Sequence, residues 1–183
     1  MSSATSDSPR SIKRIPRIAV FAAVGLVTVC LLAGLLWLAR GGTFRMMTPE
    51  NFAKVKFSRS AFGALTPQED KLVVRHFSLR EKQNLPFWVD GLRNHFVEDR
   101  GYTLKEEDEF KTDAGLSGHR FLFEIAMNDV PYCYELVLFT TAGWFRQHIY
   151  TAELLCGKKN FDKHGPAVEN ALKRFQARRG HAG

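Results

Sequence analysis

The chain has 183 residues, 45% of them hydrophobic, 25% charged and 12% aromatic, with 26 Lys and Arg against 19 Asp and Glu and a formal net charge of +7. That length suits one globular domain, and ordinary charge content with 15 Phe excludes a wholly disordered chain. The 14 Gly and 7 Pro follow no period, which excludes a collagen-like or low-complexity tract.

Residues 1–17 are rich in Ser and carry the basic group Lys13, Arg14 and Arg17, the composition of a disordered arm. Ile18 to Ala39 then form an uncharged apolar run of 22 residues in which Thr28 is the lone hydroxyl and Trp37 stands near the far end. As a helix rising about 1.5 Å per residue it spans ~33 Å, enough for the hydrocarbon core of a bilayer. Secretory h-regions run about 7–15 residues, so the length favours an uncleaved signal-anchor over a cleaved signal. The basic arm resists translocation, which predicts a cytoplasmic N-terminus and an extracytoplasmic C-terminal domain in the cell membrane. Arg10, Lys13, Arg14, Arg17 and Arg40 oppose only Asp7 in this part of the chain, so most of the positive excess flanks the span. The basic balance therefore predicts no nucleic-acid partner.

Residues 40–70 read as a linker, with Gly41-Gly42 as a flexible exit, a candidate first strand over Ala53 to Phe57 and a loop at Leu65-Thr66-Pro67. From residue 71 to 177 the patterns predict one α+β domain. Leu72–Phe77 is a short β-rich run, and Asn84-Leu85-Pro86 opens a helix whose Leu85, Trp88, Val89, Leu92 and Phe96 share one face. Gly101 is placed to end that helix in the left-handed region. Tyr102 to Phe110 is extended and carries the acidic run Glu106 to Glu109. In His119–Met127, Phe121, Phe123, Ile125 and Met127 alternate with Arg120, Leu122, Glu124 and Ala126, the period of a strand with one buried face. Turns at Asn128-Asp129 and Thr141-Ala142-Gly143 then yield strands Tyr132–Thr140 and Trp144–Leu155, completing an antiparallel meander. A helix from about Asp162 to Gln176, capped by Asn160 or Asp162, closes the domain on Val168, Ala171, Leu172 and Phe175, and residues 178–183 read as a flexible tail. The predicted fold class is α+β: a transmembrane helix, then a small antiparallel sheet packed by two amphipathic helices.

This order resembles the PsbP/DcrB-like superfamily of α/β/α sandwiches over residues 72 to 175. The resemblance is carried by the apolar helix ending in Asp99-Arg100-Gly101-Tyr102, by Arg120-Phe121-Leu122-Phe123-Glu124 leading to Tyr132-Cys133-Tyr134, and by Phe161-Asp162-Lys163 to Leu172-Lys173-Arg174-Phe175. It implies an accessory or assembly factor, often extracytoplasmic and membrane-tethered, with no shared catalytic residues. The first strand it implies between residues 45 and 70 is not distinct in the sequence.

No catalytic signature stands out. The six histidines form no HxH or HExxH pair and no Cys/His cluster at metal-ligand spacing, so neither a metal nor a cofactor is expected. Cys133 and Cys156 are the thiols outside the apolar run. An extracytoplasmic compartment invites a disulfide between them, but a turn centred on Ala142 sets Thr151 opposite Cys133 and Cys156 about 16 Å along the strand, unless a bulge or bend brings it back, which favours two separate buried or half-buried thiols. Alternation sends the carboxylates of Glu106 to Glu109 to both faces of a strand, the pattern of a charged sheet edge. Trp144 and Phe145 after a turn, and Lys158 and Lys159 beside the closing helix, are the candidate contacts for a partner or a membrane surface. The function these features predict is a non-enzymatic accessory or assembly protein, anchored in the bilayer through residues 18–39, whose extracytoplasmic domain binds a protein partner in a membrane or envelope complex. Two alternatives are a membrane-tethered carrier holding a lipid or small ligand between sheet and helices, and a hydrolase with a non-contiguous site drawing on His119, His148 and Glu124.

Overall fold

A computed structural model describes residues 44–142 and 146–177. The predicted arm, the apolar run 18–39, Trp144, Phe145 and the tail lie outside the described residues. Among the described residues no helix is long and apolar enough to cross a membrane.

Two short strands, β1 (Phe44–Arg45) and β2 (Ala53–Lys54), precede β3 (Phe62–Leu65) and β4 (Lys71–Leu79). Helix α1 (Leu85–Asn94) runs on into a π-helical turn over His95–Asp99. Strands β5 (Thr103–Lys111), β6 (Ser117–Met127), β7 (Val130–Ala142) and β8 (Gln147–Gly157) form the meander, followed by α2 (Lys158–Lys173) and β9 (Gln176–Ala177). Seven strands pair antiparallel in the order β2-β3-β4-β8-β7-β6-β5, while β1 and β9 make a separate ribbon. The α+β class and the antiparallel meander are as expected.

Strand alternation divides the core. Cys133, Val137 and Phe139 of β7 face one side with Tyr150, Leu154 and Cys156 of β8 and with Val168, Leu172 and Phe175 of the closing segment. Leu136 and Leu138 face the other side with Phe121 and Phe123 of β6 and Val89 of α1. The helices thus take opposite faces, and the domain has three layers. On the α2 side Phe139 stacks on Phe175 at 5.0 Å between ring centroids, and Phe44 and Tyr150 close around Phe175, so rings fill this part of the core.

Helix α1 starts where expected: Asn84 Oδ1 accepts the Phe87 backbone N–H at 2.9 Å, with Pro86 in the first turn. It ends at Gly101, as expected, after a wider last turn. The Arg100 N–H reaches His95 O, five residues back, and Gly101 then takes φ of +68°. The wide turn keeps Phe96 against Tyr102, Phe123 and Tyr134.

Three expectations need correction. The strand sought at Ala53 to Phe57 is only two residues long, because the chain turns at Phe57 to Ser60 and comes back as β3. The closing helix begins at Lys158, four residues early, without a side-chain cap: Asn160 is already inside it, and its amide donates to Asp70 instead. The cysteine register is also different. Strand β7 continues through Ala142, which pairs with Gln147, so four residues make the connection and Cys133 stands directly opposite Cys156. The wider connection moves the pairing five positions from the register of a tight turn at Ala142.

Candidate functional site

A β-bulge decides which charges meet which helix. In β5 the register shifts between Leu104 and Glu106. Leu104 faces α1, whereas Phe110, an even number of positions along, lies in the core on the α2 side. The extra residue has exchanged the faces of everything after it. Glu107 and Glu109 consequently turn toward α1, and Glu106 and Asp108 turn toward the α2 side, where Arg120 of β6 meets them.

On the α1 side Glu109 lines an open groove of about 660 Å³ between the helix and the β5–β6 edge, walled also by Leu85, Val89, Asp90, Arg93, Lys111 and His119 among others. Arg93 reaches from α1 across to the sheet, its Nε donating to Glu107 Oε2 at 2.9 Å and its Nη2 to Oε1. Nη1 also donates to Asp90 Oδ1 at 2.9 Å. His119 Nε2 lies 2.9 Å from Glu107 Oε1, completing an Arg93–Glu107–His119 cluster. The Arg93 hydrogen bonds hold the Glu107 carboxyl below the usual carboxylate range despite its partial burial, and the Arg93 guanidinium is raised in return.

The α2 side carries a second cluster. Arg120 makes a two-pronged contact to Asp108 at 3.0 and 2.7 Å and stands 3.7 Å from Glu135, whose side chain is 3% exposed. Burial pushes the Glu135 carboxyl up to about 7. Farther along the same face, Asp70 is a buried acceptor for the Thr66 hydroxyl, the Gly157 N–H and the Asn160 amide, with His164 Nε2 3.5 Å away.

The residues suggested for hydrolysis are not brought together. His119 faces α1 and pairs with Glu107. His148 lies on the opposite face against His76, with Nδ1 and Nε2 3.0 Å apart, while Glu124 pairs with Lys105 and Lys158. Among the described residues no group of three or more His, Cys, Asp or Glu is arranged to hold a metal ion. Of the candidate contacts, Lys158 is engaged by Glu124 at 2.9 Å and Lys159 is exposed in the first turn of α2; Trp144 and Phe145 lie outside the described residues. The charged sheet edge is as expected, since β5 is the terminal strand.

Arg93, Glu135 and Asp70 were not singled out in the sequence. Glu135 had a readable signal, because it interrupts the buried stripe Cys133, Val137, Phe139 of β7. Arg93 and Asp70 had none, since their partners come from distant strands.

No protein-family model and no curated protein matches the chain. Solved structures do. LpqN of Mycobacterium tuberculosis, involved in cell envelope biogenesis, superposes with a TM-score of 0.64 at 8% identity, covering 73% of this chain and 82% of LpqN. Cyanobacterial PsbP from Synechocystis gives 0.52 at 12% identity, covering 74% of this chain and 87% of its own. The Saccharomyces cerevisiae Ran-binding protein Mog1p gives 0.50 at 9% identity, with 76% and 93% covered. The domain therefore shares the fold of these proteins, PsbP among them, as the resemblance implied. At such identities the fold is what is shared, and no residue role transfers with it.

Proposed function

We propose that this chain is a single-pass membrane protein whose domain lies outside the cytoplasm and serves as a non-enzymatic accessory or assembly subunit for a protein partner in an envelope complex. The observation that carries the reading is the uncharged run from Ile18 to Ala39 behind a basic arm, followed after a short linker by this domain. The envelope-biogenesis role of LpqN, which shares the fold, supports it.

The α1/β5–β6 groove is the surface we assign to the partner. Its strongest charges already neutralise one another within the Arg93–Glu107–His119 cluster, which makes a rigid polar wall rather than a reactive centre. Apolar Leu85 and Val89 line the same groove, the mixture expected of a binding surface with an apolar centre and a polar rim.

Membrane topology tests the reading. A phosphatase active only outside the cytoplasm, fused after Gly183, is expected to be active, and a fluorescent reporter that matures only in the cytoplasm is expected to stay dark. The reverse pattern overturns the placement. A photo-crosslinker at Asp90 on the groove rim is expected to capture a discrete partner from membranes, and one at Lys163 on α2 is not; equal capture at both positions overturns the groove assignment.

A further inference from the structure

We infer that Cys133 and Cys156 are a dithiol pair that closes into a cross-strand disulfide when the chain meets a disulfide donor. The two residues are Cα partners in the β7–β8 pairing, so their side chains leave the same face of the sheet. Both lie in the core cluster beneath α2. Directly opposed residues of an antiparallel pair have Cα atoms about 4.5 or 5.5 Å apart, according to the hydrogen-bonding class of the pair. Either separation falls inside the range of about 4.4–6.8 Å that a disulfide spans, so no strand has to move.

The place in the fold gives the bond a task. Cys156 is followed by Gly157, the last residue of β8, and α2 begins at Lys158 without a side-chain cap. A bond here fastens the end of β8 to β7 where the helix leaves the sheet.

The chemistry balances by exchange with a small-molecule or protein disulfide. The Cys133 thiolate, from the more exposed member of the pair at 8% against 1%, attacks the donor disulfide and releases one donor thiolate. The Cys156 thiolate then attacks the Cys133 sulfur and displaces the second. Two protons pass from the cysteine thiols to the donor sulfurs, the donor is reduced by two electrons, and the new S–S bond holds the chain oxidised. Burial raises both thiols, so exchange is fastest while β7 and β8 have paired and α2 has not yet covered them.

The inference rests on the proposed extracytoplasmic placement only for its natural oxidant, not for its geometry. The full chain is therefore solubilised in detergent, unfolded in urea with reductant and refolded in mixed oxidised and reduced glutathione. It is then quenched with an alkylating agent and mapped by peptide mass spectrometry. A linked peptide pair containing Cys133 and Cys156, lighter by two hydrogens and absent after reduction, is the expected result. Both cysteines alkylated, or either linked instead to Cys30 or left as a glutathione adduct, overturns the inference. A second measurement keeps the test independent of refolding yield: the oxidised wild type is expected to lose about 5–15 °C in Tm on reduction, whereas the double variant Cys133→Ala, Cys156→Ala is unmoved. Equal Tm values for oxidised and reduced wild type overturn the fastening role. The topology reporters separate the two readings, since a cytoplasmic domain that still closes the bond with glutathione refutes the placement and leaves the dithiol pair standing.

Discussion

Glu135 points one carboxylate oxygen toward Arg120, 3.7 Å away, and buries the other without a hydrogen-bond partner. Because burial outweighs the attraction of Arg120, the carboxyl holds its proton up to about pH 7 in the folded chain, against an ordinary value of 4.5. Through that window the folded chain keeps a proton that the unfolded chain releases, so stability falls as pH rises from about 4.5 to 7 and is level above it. Glu135→Gln removes this component. His76, lowered by burial and by His148, acts in the opposite direction below its ordinary 6.5, so the difference between wild type and variant is the informative quantity. Urea midpoints are expected to show the variant gaining about 2–3 kcal/mol relative to wild type between pH 5 and 8. Parallel pH profiles for the two proteins contradict the assignment.

Arg93 and Glu107 fasten α1 to the sheet edge through a two-pronged, partly exposed pair. Exposure limits what such a pair contributes, so a double-mutant cycle of Arg93→Ala and Glu107→Gln is expected to give a coupling of about 1 kcal/mol at pH 7. Since Arg93 depresses Glu107, that coupling is full above the ordinary carboxylate value and is lost as pH falls through the lower folded-state value. A coupling that is unchanged at pH 2 assigns the contact to packing instead.

Asp70 ties the turn before β4 to the first residues of α2 by accepting from Thr66, Gly157 and Asn160. Asp70→Ala leaves those buried donors unpaired and is expected to destabilise the domain by about 3 kcal/mol, with Asp70→Asn intermediate. Chemical denaturation measures both. A loss under about 1 kcal/mol for the alanine variant means that water satisfies the donors.

Gly118 sits where β6 passes close to β7. A Cβ there stands 2.5 Å from Leu138 O and 2.6 Å from the Phe139 ring, the ring that stacks on Phe175. Gly118→Ala is expected to lose about 1–3 kcal/mol of stability, whereas Gly91→Ala, with open space around it, is neutral or stabilising. Thermal unfolding of the two variants checks the contrast, and equal Tm values remove it.

Periodicity made most of the fold legible. The apolar face of α1, the alternation from Phe121 to Ile125 and the closing stripe of Val168, Leu172 and Phe175 are local patterns, and each element lies close to where its pattern falls. Short β2 and the early start of α2 were not legible, because the Asp70 carboxylate that accepts from Asn160 is 90 residues away in sequence.

The sequence by itself determined the apolar run, the order of the elements from β4 to α2 and the buried stripes of α1, β6 and α2. The tertiary structure alone decided which carboxylates of the acidic run meet Arg93 and which meet Arg120, and whether Cys133 faces Thr151 or Cys156. The first choice hangs on a one-residue bulge after Leu104, the second on the length of one connection, which moves the register five positions. A strand repeats every two residues, so one inserted residue exchanges its faces while leaving the hydrophobic pattern almost unchanged.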